Sequence, residues 1–284
     1  MDWSKAKKIM ICAFVVVNFA LLLTMLSKDI RARDYVTTRE DVIERLSKID
    51  VDLKTDIPKK IPSIELLEVE YEGYDTINKK IDIAREFLNS TDLLEMATID
   101  DEKNLVVFED ENQKFEILKN KKLVYEYKAK DEDGAIEYDP HKVVSNFLKE
   151  KSFKKNDYKL TERKKNNDII DLTYTKEYKD TIVEKTYMKF TIKNGKVIKF
   201  ERLWLNAIEE KENNIKLRPA TDSLLKLLSV EGIKGKTIEN IVSCYYFDPN
   251  NTEAFEFDEF KSGDALPAWK VKFIDGTIKY LYEK

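Results

Sequence analysis

The chain has 284 residues, 37% of them charged and 42% apolar, with 50 basic side chains against 54 acidic and a net charge of −4. Opposite charges are interleaved rather than gathered in blocks, which argues against a nucleic-acid surface, and seven Gly with six Pro in so apolar a chain argue against disorder. Two cysteines, Cys12 and Cys244, are too few for a disulfide scaffold, and Cys244 reads as a small buried hydrophobe.

The first element in chain order is an uncharged apolar run over residues 9–26. As a helix it spans ~27 Å, enough for a bilayer core. Lys5, Lys7 and Lys8 precede it, Trp3 sits at headgroup level, and no small-x-small site follows, so the run predicts an uncleaved signal anchor. A short amino-terminal stub favours an inside amino end and an extracytoplasmic body. Asn18, a carboxamide near mid-bilayer, either bonds back within its own helix or finds a partner on another.

Residues 28–35 read as a charged stalk. Thr37-Thr38-Arg39-Glu40 fits a capping box for a short amphipathic helix carrying Val42, Leu46 and Ile49. Pro58 and Pro62 interrupt the chain before a strand over 63–72. A helix over 76–88 with Ile77, Ile81, Ala84 and Leu88 on one face precedes strands at 105–109, 114–118 and 123–128. Asp139 and Pro140 open a second helix, buried through Val143, Val144, Phe147 and Leu148. Strands follow at 168–176, 181–193 and 196–205, with Asn194-Gly195 as a two-residue hairpin turn. A third helix begins near Pro219 with Leu224, Leu227 and Leu228, and Gly232 lies beyond its end. A strand over 238–247 and a hairpin over 269–282 about Asp275-Gly276 close the chain. A two-residue loop there pairs Phe273 with Ile278, Val271 with Tyr280 and Trp269 with Tyr282, making all six the hairpin core, with Leu281 as an apolar exception.

The pattern predicts an α+β body in which helices cover one face of antiparallel β-meanders and leave the other face for a partner. Three segments result: a cytoplasmic stub and anchor over 1–27, a stalk, short helix and first α+β module over 28–139, and a second α+β region with the C-terminal hairpin over 140–284.

Catalytic chemistry finds little support. The lone histidine, His141, falls in the first turn of a helix, and one histidine with one cysteine in the body cannot complete a tetrahedral metal shell. The acidic triplets at 100–102, 109–111 and 131–133 read as solvated turns, without calcium-loop spacing. Gly232 and Gly235 lack phosphate-loop spacing. Tyr245, Tyr246, Phe247, Phe255, Phe257 and Phe260 cluster late in the chain. Phe255 and Phe257 alternate with Glu256 and Asp258, a pattern that suits either a core segment or an edge strand pairing with another protein.

The opening Met1-Asp2-Trp3-Ser4-Lys5-Ala6-Lys7, followed by a run containing Asn18-Phe19, resembles the start of the YycI proteins of low-GC Gram-positive bacteria. The likeness continues through the helix at 38–46 to Leu266-Pro267-Ala268-Trp269-Lys270-Val271 and its hairpin. The resemblance implies a bitopic regulator, not an enzyme, with no cofactor and an extracytoplasmic α+β body related to YycH. Its implied partners are a YycH-like membrane protein and the WalK/YycG-type sensor histidine kinase of the YycFG (WalRK) two-component system, which governs cell-wall metabolism. Because transmembrane contacts are implicated in that family, Asn18, Phe19, Phe14 and Trp3 become the interaction candidates. The alternative is an extracytoplasmic binding module for peptides or wall fragments.

Overall fold

In the computed structural model, residues 3, 13–19, 37–88, 90, 92–128, 137–153, 156–212, 215–247 and 262–283 are described. Helix α1 (Arg39–Ser47) leads to strands β1 (Asp52–Leu53) and β2 (Leu66–Tyr71), then helices α2 (Ile77–Phe87) and α3 (Leu93–Met96). Four strands follow: β3 (Ala97–Asp100), β4 (Leu105–Glu109), β5 (Gln113–Leu118) and β6 (Lys122–Tyr127). After α4 (Pro140–Glu150) come β7 (Tyr158–Asn166), β8 (Ile169–Tyr178), β9 (Thr181–Val183), β10 (Tyr187–Lys193), β11 (Lys196–Leu203) and β12 (Leu205–Lys211). Helix α5 (Ala220–Leu224) continues as a 3₁₀ turn (Leu225–Ser229), and β13 (Thr237–Tyr246), β14 (Ser262–Phe273) and β15 (Ile278–Tyr282) complete the body.

Local chemistry explains the starts and turns. Thr38 caps α1 with Asp41, its hydroxyl accepting from Asp41 N at 3.1 Å while Asp41 accepts from Thr38 N at 3.2 Å, so the capping box sits one residue later than Thr37 and Glu40. The Thr76 and Asp139 side chains cap α2 and α4 by accepting from Lys79 N and His141 N, the latter helix with Pro140 in its first turn. Asn194 and Gly195, at φ 49° and 74°, make the two-residue turn between β10 and β11.

Two hydrophobic cores result. In the first, two meanders meet through their last strands, giving the antiparallel order β3-β4-β5-β6-β11-β10-β8-β7. Helices α2 and α4 cover one face, where Phe87 stacks on Phe115 at 4.4 Å and Phe147 meets Phe200 at 5.3 Å. The boundary expected near Asp139 runs through this core, because Phe87 and Phe115 lie before it and Phe147 and Phe200 after it. The second core instead joins α1 and β2 from the start of the body to β12, α5 and β13–β15 from its end, through Leu46, Leu67, Leu205, Leu224, Trp269 and Phe273. Core membership therefore changes near residues 72 and 204, and between them Val183 of β9 also belongs to the second core.

Other expectations shift for identifiable reasons. The single strand expected over 181–193 is split, because Lys185 takes φ 67° and Glu184-Lys185-Thr186 turns the chain from β9 into β10. The strand expected over 196–205 breaks at Trp204, after which β12 pairs with β2.

The final hairpin keeps its place but slips by one residue. Phe273 N donates to Thr277 O at 2.8 Å, and only Gly276 of the expected turn pair has positive φ, at 86°. The loop is thus three residues, Ile274-Asp275-Gly276, with glycine at the left-handed position. Asp275 accepts from Thr277 N and Lys236 Nζ, each at 2.9 Å, and these bonds hold its carboxyl down at about 2. The register then places Trp269 opposite Leu281, Val271 opposite Lys279 and Lys270 opposite Tyr280. A slip of one residue exchanges faces. Trp269, Val271 and Phe273 remain in the core, Leu281 joins them at 4% exposure, and Ile278, at 38%, Tyr280 and Tyr282 leave that face. Leu281→Ala should therefore cost about 2–5 kcal/mol in urea unfolding and Ile278→Ala less than about 1; equal losses would contradict the register.

Candidate functional site

Residues 13–19 of the apolar run are helical, and Asn18 Nδ2 donates to Phe14 O, four residues back, at 2.8 Å. That is the back-bonded state, and it uses one of two amide hydrogens, leaving the other and Oδ1 for a second helix. Phe14, Phe19 and Trp3 are exposed, at 71%, 60% and 84%. The rest of the run, the stalk over 28–35 and the Phe255/Phe257 segment lie outside the described residues. Among the described residues no helix is long and apolar enough to cross a membrane.

Residues considered for chemistry have structural partners. His141 Nδ1 lies 2.8 Å from the Tyr174 hydroxyl at the edge of the first core, where burial pushes that phenol up to about 12. Asp100 and Asp110 accept backbone N–H groups of their own turns; residues 131–133 lie outside the described residues. Cys244 is buried, and desolvation pushes its thiol well up. Among the described residues no group of three or more His, Cys, Asp or Glu side chains is placed to hold a metal ion.

The organised polar site lies where the two cores meet. The chain leaves β9 at Glu184, whose N–H donates to Tyr245 O at 2.8 Å and whose side chain turns inward at 8% exposure. Lys270 Nζ donates to Glu184 Oε1 at 2.7 Å and the Tyr280 hydroxyl to Oε2, also at 2.7 Å. Burial, and then the adjacent Glu184 carboxylate, push the Tyr280 phenol far up. Tyr280 stacks on Tyr246 at 4.1 Å over Cys244 and Ala268, a small third cluster built by the face that the hairpin slip exposes. Glu184, Lys270 and Tyr280 wall a cleft of about 590 Å³ floored by the open face of β7, β8 and β10, where Thr161 and Thr175 hydroxyls meet at 2.9 Å.

A second charged group lies nearby. Arg202 packs 4.4 Å above the buried Trp204 indole and binds Glu72 through Nε at 2.9 Å, while Lys176, only 4% exposed, faces the same indole and pairs with Asp157. Each partly buried carboxylate here faces a cation, an arrangement suited to rigid placement and recognition. Of the hairpin residues singled out from sequence, the structure brings Tyr280 to this site and sends Trp269, Val271 and Phe273 into the second core. Glu184 and Lys270, 86 residues apart, were not foreseen. The only local hint was a glutamate interrupting a β-branched run.

Removing one partner of this pair should be costly. Glu184→Gln or Lys270→Met alone is expected to lose about 3–5 kcal/mol, and the double replacement less than the sum. Additive losses in a urea-denaturation cycle would show that the contact carries no coupling.

Comparison with known proteins adds four likenesses. A family model described as "YycI protein" matches residues 32–282. A search of curated proteins gave no match. Among solved structures, an uncharacterized protein from Eubacterium rectale ATCC 33656 superposes with a TM-score of 0.53 at 10% identity, over 87% of this chain and 95% of its own. That likeness shows a shared fold. YycH from Bacillus subtilis gives 0.46 at 12% identity, over 80% of this chain and 55% of its own. The YpeB C-terminal domain from Bacillus megaterium gives 0.39 at 10%, over 74% and 100%.

Proposed function

The chain belongs to the YycI family, a family of regulatory proteins, and on that premise we propose that it is a membrane-anchored regulator of a sensor histidine kinase. In this reading residues 9–26 form a single-pass anchor with the amino end in the cytoplasm, and the body lies outside. With a YycH-like membrane protein, the chain modulates the WalK/YycG-type kinase of the YycFG system and so cell-wall metabolism. The observation that carries the reading is the extent of the family match, which takes in both cores.

Such a regulator acts by contacting the two states of the kinase differently. About 1–3 kcal/mol of differential contact changes activity roughly 5- to 150-fold. Asn18, with one amide hydrogen and Oδ1 beyond its bond to Phe14, supplies a polar contact within the membrane, while the body sets which proteins meet.

A second reading, an extracytoplasmic binding module for peptides or wall fragments, draws support from the cleft of about 590 Å³ beside Glu184 and Lys270. The two readings separate in reconstituted bilayers holding the full chain, a YycH-like protein and the kinase. Kinase autophosphorylation should change on adding the full chain, and Asn18→Leu should weaken membrane association, at a loss of about 0.6–2 kcal/mol. Unaltered autophosphorylation would reject the regulatory reading; unaltered association would move its contacts to the body.

A further inference from the structure

The sheet of the first core ends in two open edges. Among the described residues β3 pairs only with β4, and β7 only with β8. Outside the β3–β4 ladder no backbone group of β3 has a backbone partner, so alternate residues turn free N–H and C=O groups outward. Strand β7 is bulged between Leu160 and Glu162. Before the bulge, residues 159–161 share a cleft with Pro58 and Val242; after it, residues 162–166 are all exposed and have no backbone partner beyond β8. The two open stretches, four and five residues long, match in length at about 14–17 Å.

Their charges are opposite on one face. Residues directly opposite in a ladder share a face. Ala97 and Ile99 lie opposite Phe108 and Val106 and so belong to the helix-covered face, yet Ile99 is 56% exposed because no strand lies beyond it. On the same face of β7, Arg163 and Lys165 lie opposite Leu172 and Ile170, and the open stretch has no acid there. Helix α3 sends Leu93 and Met96 into the first core and leaves Asp92 and Glu95 exposed, while Asp101 and Glu102 follow β3 directly. Among the described residues these four acids, Arg163 and Lys165 have no ion pairs. The remaining charges are compensated in place: Lys103 holds Asp100, Lys164 holds Glu162, and Asp171 lies opposite Lys164. Residues 92–103 carry five acids and one lysine, a net −4 that equals the charge of the whole chain.

Strand direction fixes how the two edges meet. Every neighbouring pair in the order from β3 to β7 is antiparallel, and the order holds eight strands, so β3 and β7 run in opposite directions. A second copy with its helices on the same face and its β3 beside β7 therefore continues the antiparallel alternation.

We propose that β7 of one copy pairs with β3 of a second copy and joins their first-core sheets into one. The free backbone groups supply the ladder. Arg163 and Lys165 meet the acids around β3, and their aliphatic stems cover Ile99. Pairing β3 with β3, or β7 with β7, sets like charges against each other and is disfavoured. The contact is heterologous, each copy offering a different edge to its neighbour. It goes beyond the regulatory reading and does not depend on it.

Sedimentation velocity of the full chain in detergent micelles tests the pairing, in an Asn18→Leu background that removes association through the membrane run. The weight-average mass should rise with protein concentration. Arg163→Glu with Lys165→Glu should weaken self-association by roughly tenfold or more at an unchanged melting temperature. Adding Asp92→Lys, Glu95→Lys, Asp101→Lys and Glu102→Lys to that variant should restore it. A monomer at every concentration, association indifferent to the first reversal, or a loss that the second set does not repair would each overturn the proposal. Kinase autophosphorylation is read separately, so this pairing and the regulatory reading fail independently.

Discussion

The relation between the two cores depends on β9 and the carboxylate that follows it. Among the described residues, this three-residue strand is the ladder that joins them, antiparallel to β8 through two residue pairs and parallel to β13 through two more. So short a ladder would fix little alone. Glu184 strengthens it by turning the chain toward β10 while binding Tyr245 O, Lys270 and Tyr280. Desolvating a carboxylate and an ammonium costs several kcal/mol each, so a pair at 8% and 18% exposure is repaid only by good geometry and by filling the remaining lone pairs. Tyr280 meets that second condition. The contact specifies an arrangement more than it adds stability.

The same constraint explains what could be read in advance. Features set by neighbours in sequence were legible: the cap at Asp139, the Asn194-Gly195 turn and the buried stripe of α4. Features set by distant pairing were not. Strand β7 carries Glu162, Arg163, Lys164 and Lys165 in sequence and shows no apolar alternation, because it is paired on β8 alone and most of it is solvated. The hairpin register turned on whether Asp275 would take positive φ, and its bonds to Thr277 and Lys236 favour the longer loop. The two cores stayed hidden because the second is assembled from both ends of the body and from Val183 of β9, around and through the sequence of the first.

At the candidate site, no local pattern foretells the meeting of Glu184, Lys270 and Tyr280. Lys270 alternates with Trp269 and Val271 as any solvated lysine on a half-buried strand would. Its partner is fixed only once β9 lies against β13. Buried charge pairs are tertiary features of this kind, since neither member has a local pattern and the cost of burying either alone is what forces them together.

A gap on β13 is a second consequence of how short β9 is: β1 takes Thr237 and Ile238, β9 takes Cys244 and Tyr245, and among the described residues no strand lines that edge between them. Had β9 begun three residues earlier and β1 run two residues longer, that edge of 239–243 would be closed. As built, the open edge lies directly beside the joint, since Ser243 precedes the Cys244 that pairs with Ile182. The ladder that joins the cores is therefore short on both of its sides, and the buried contact of Glu184 with Lys270 and Tyr280 is what fixes how they meet.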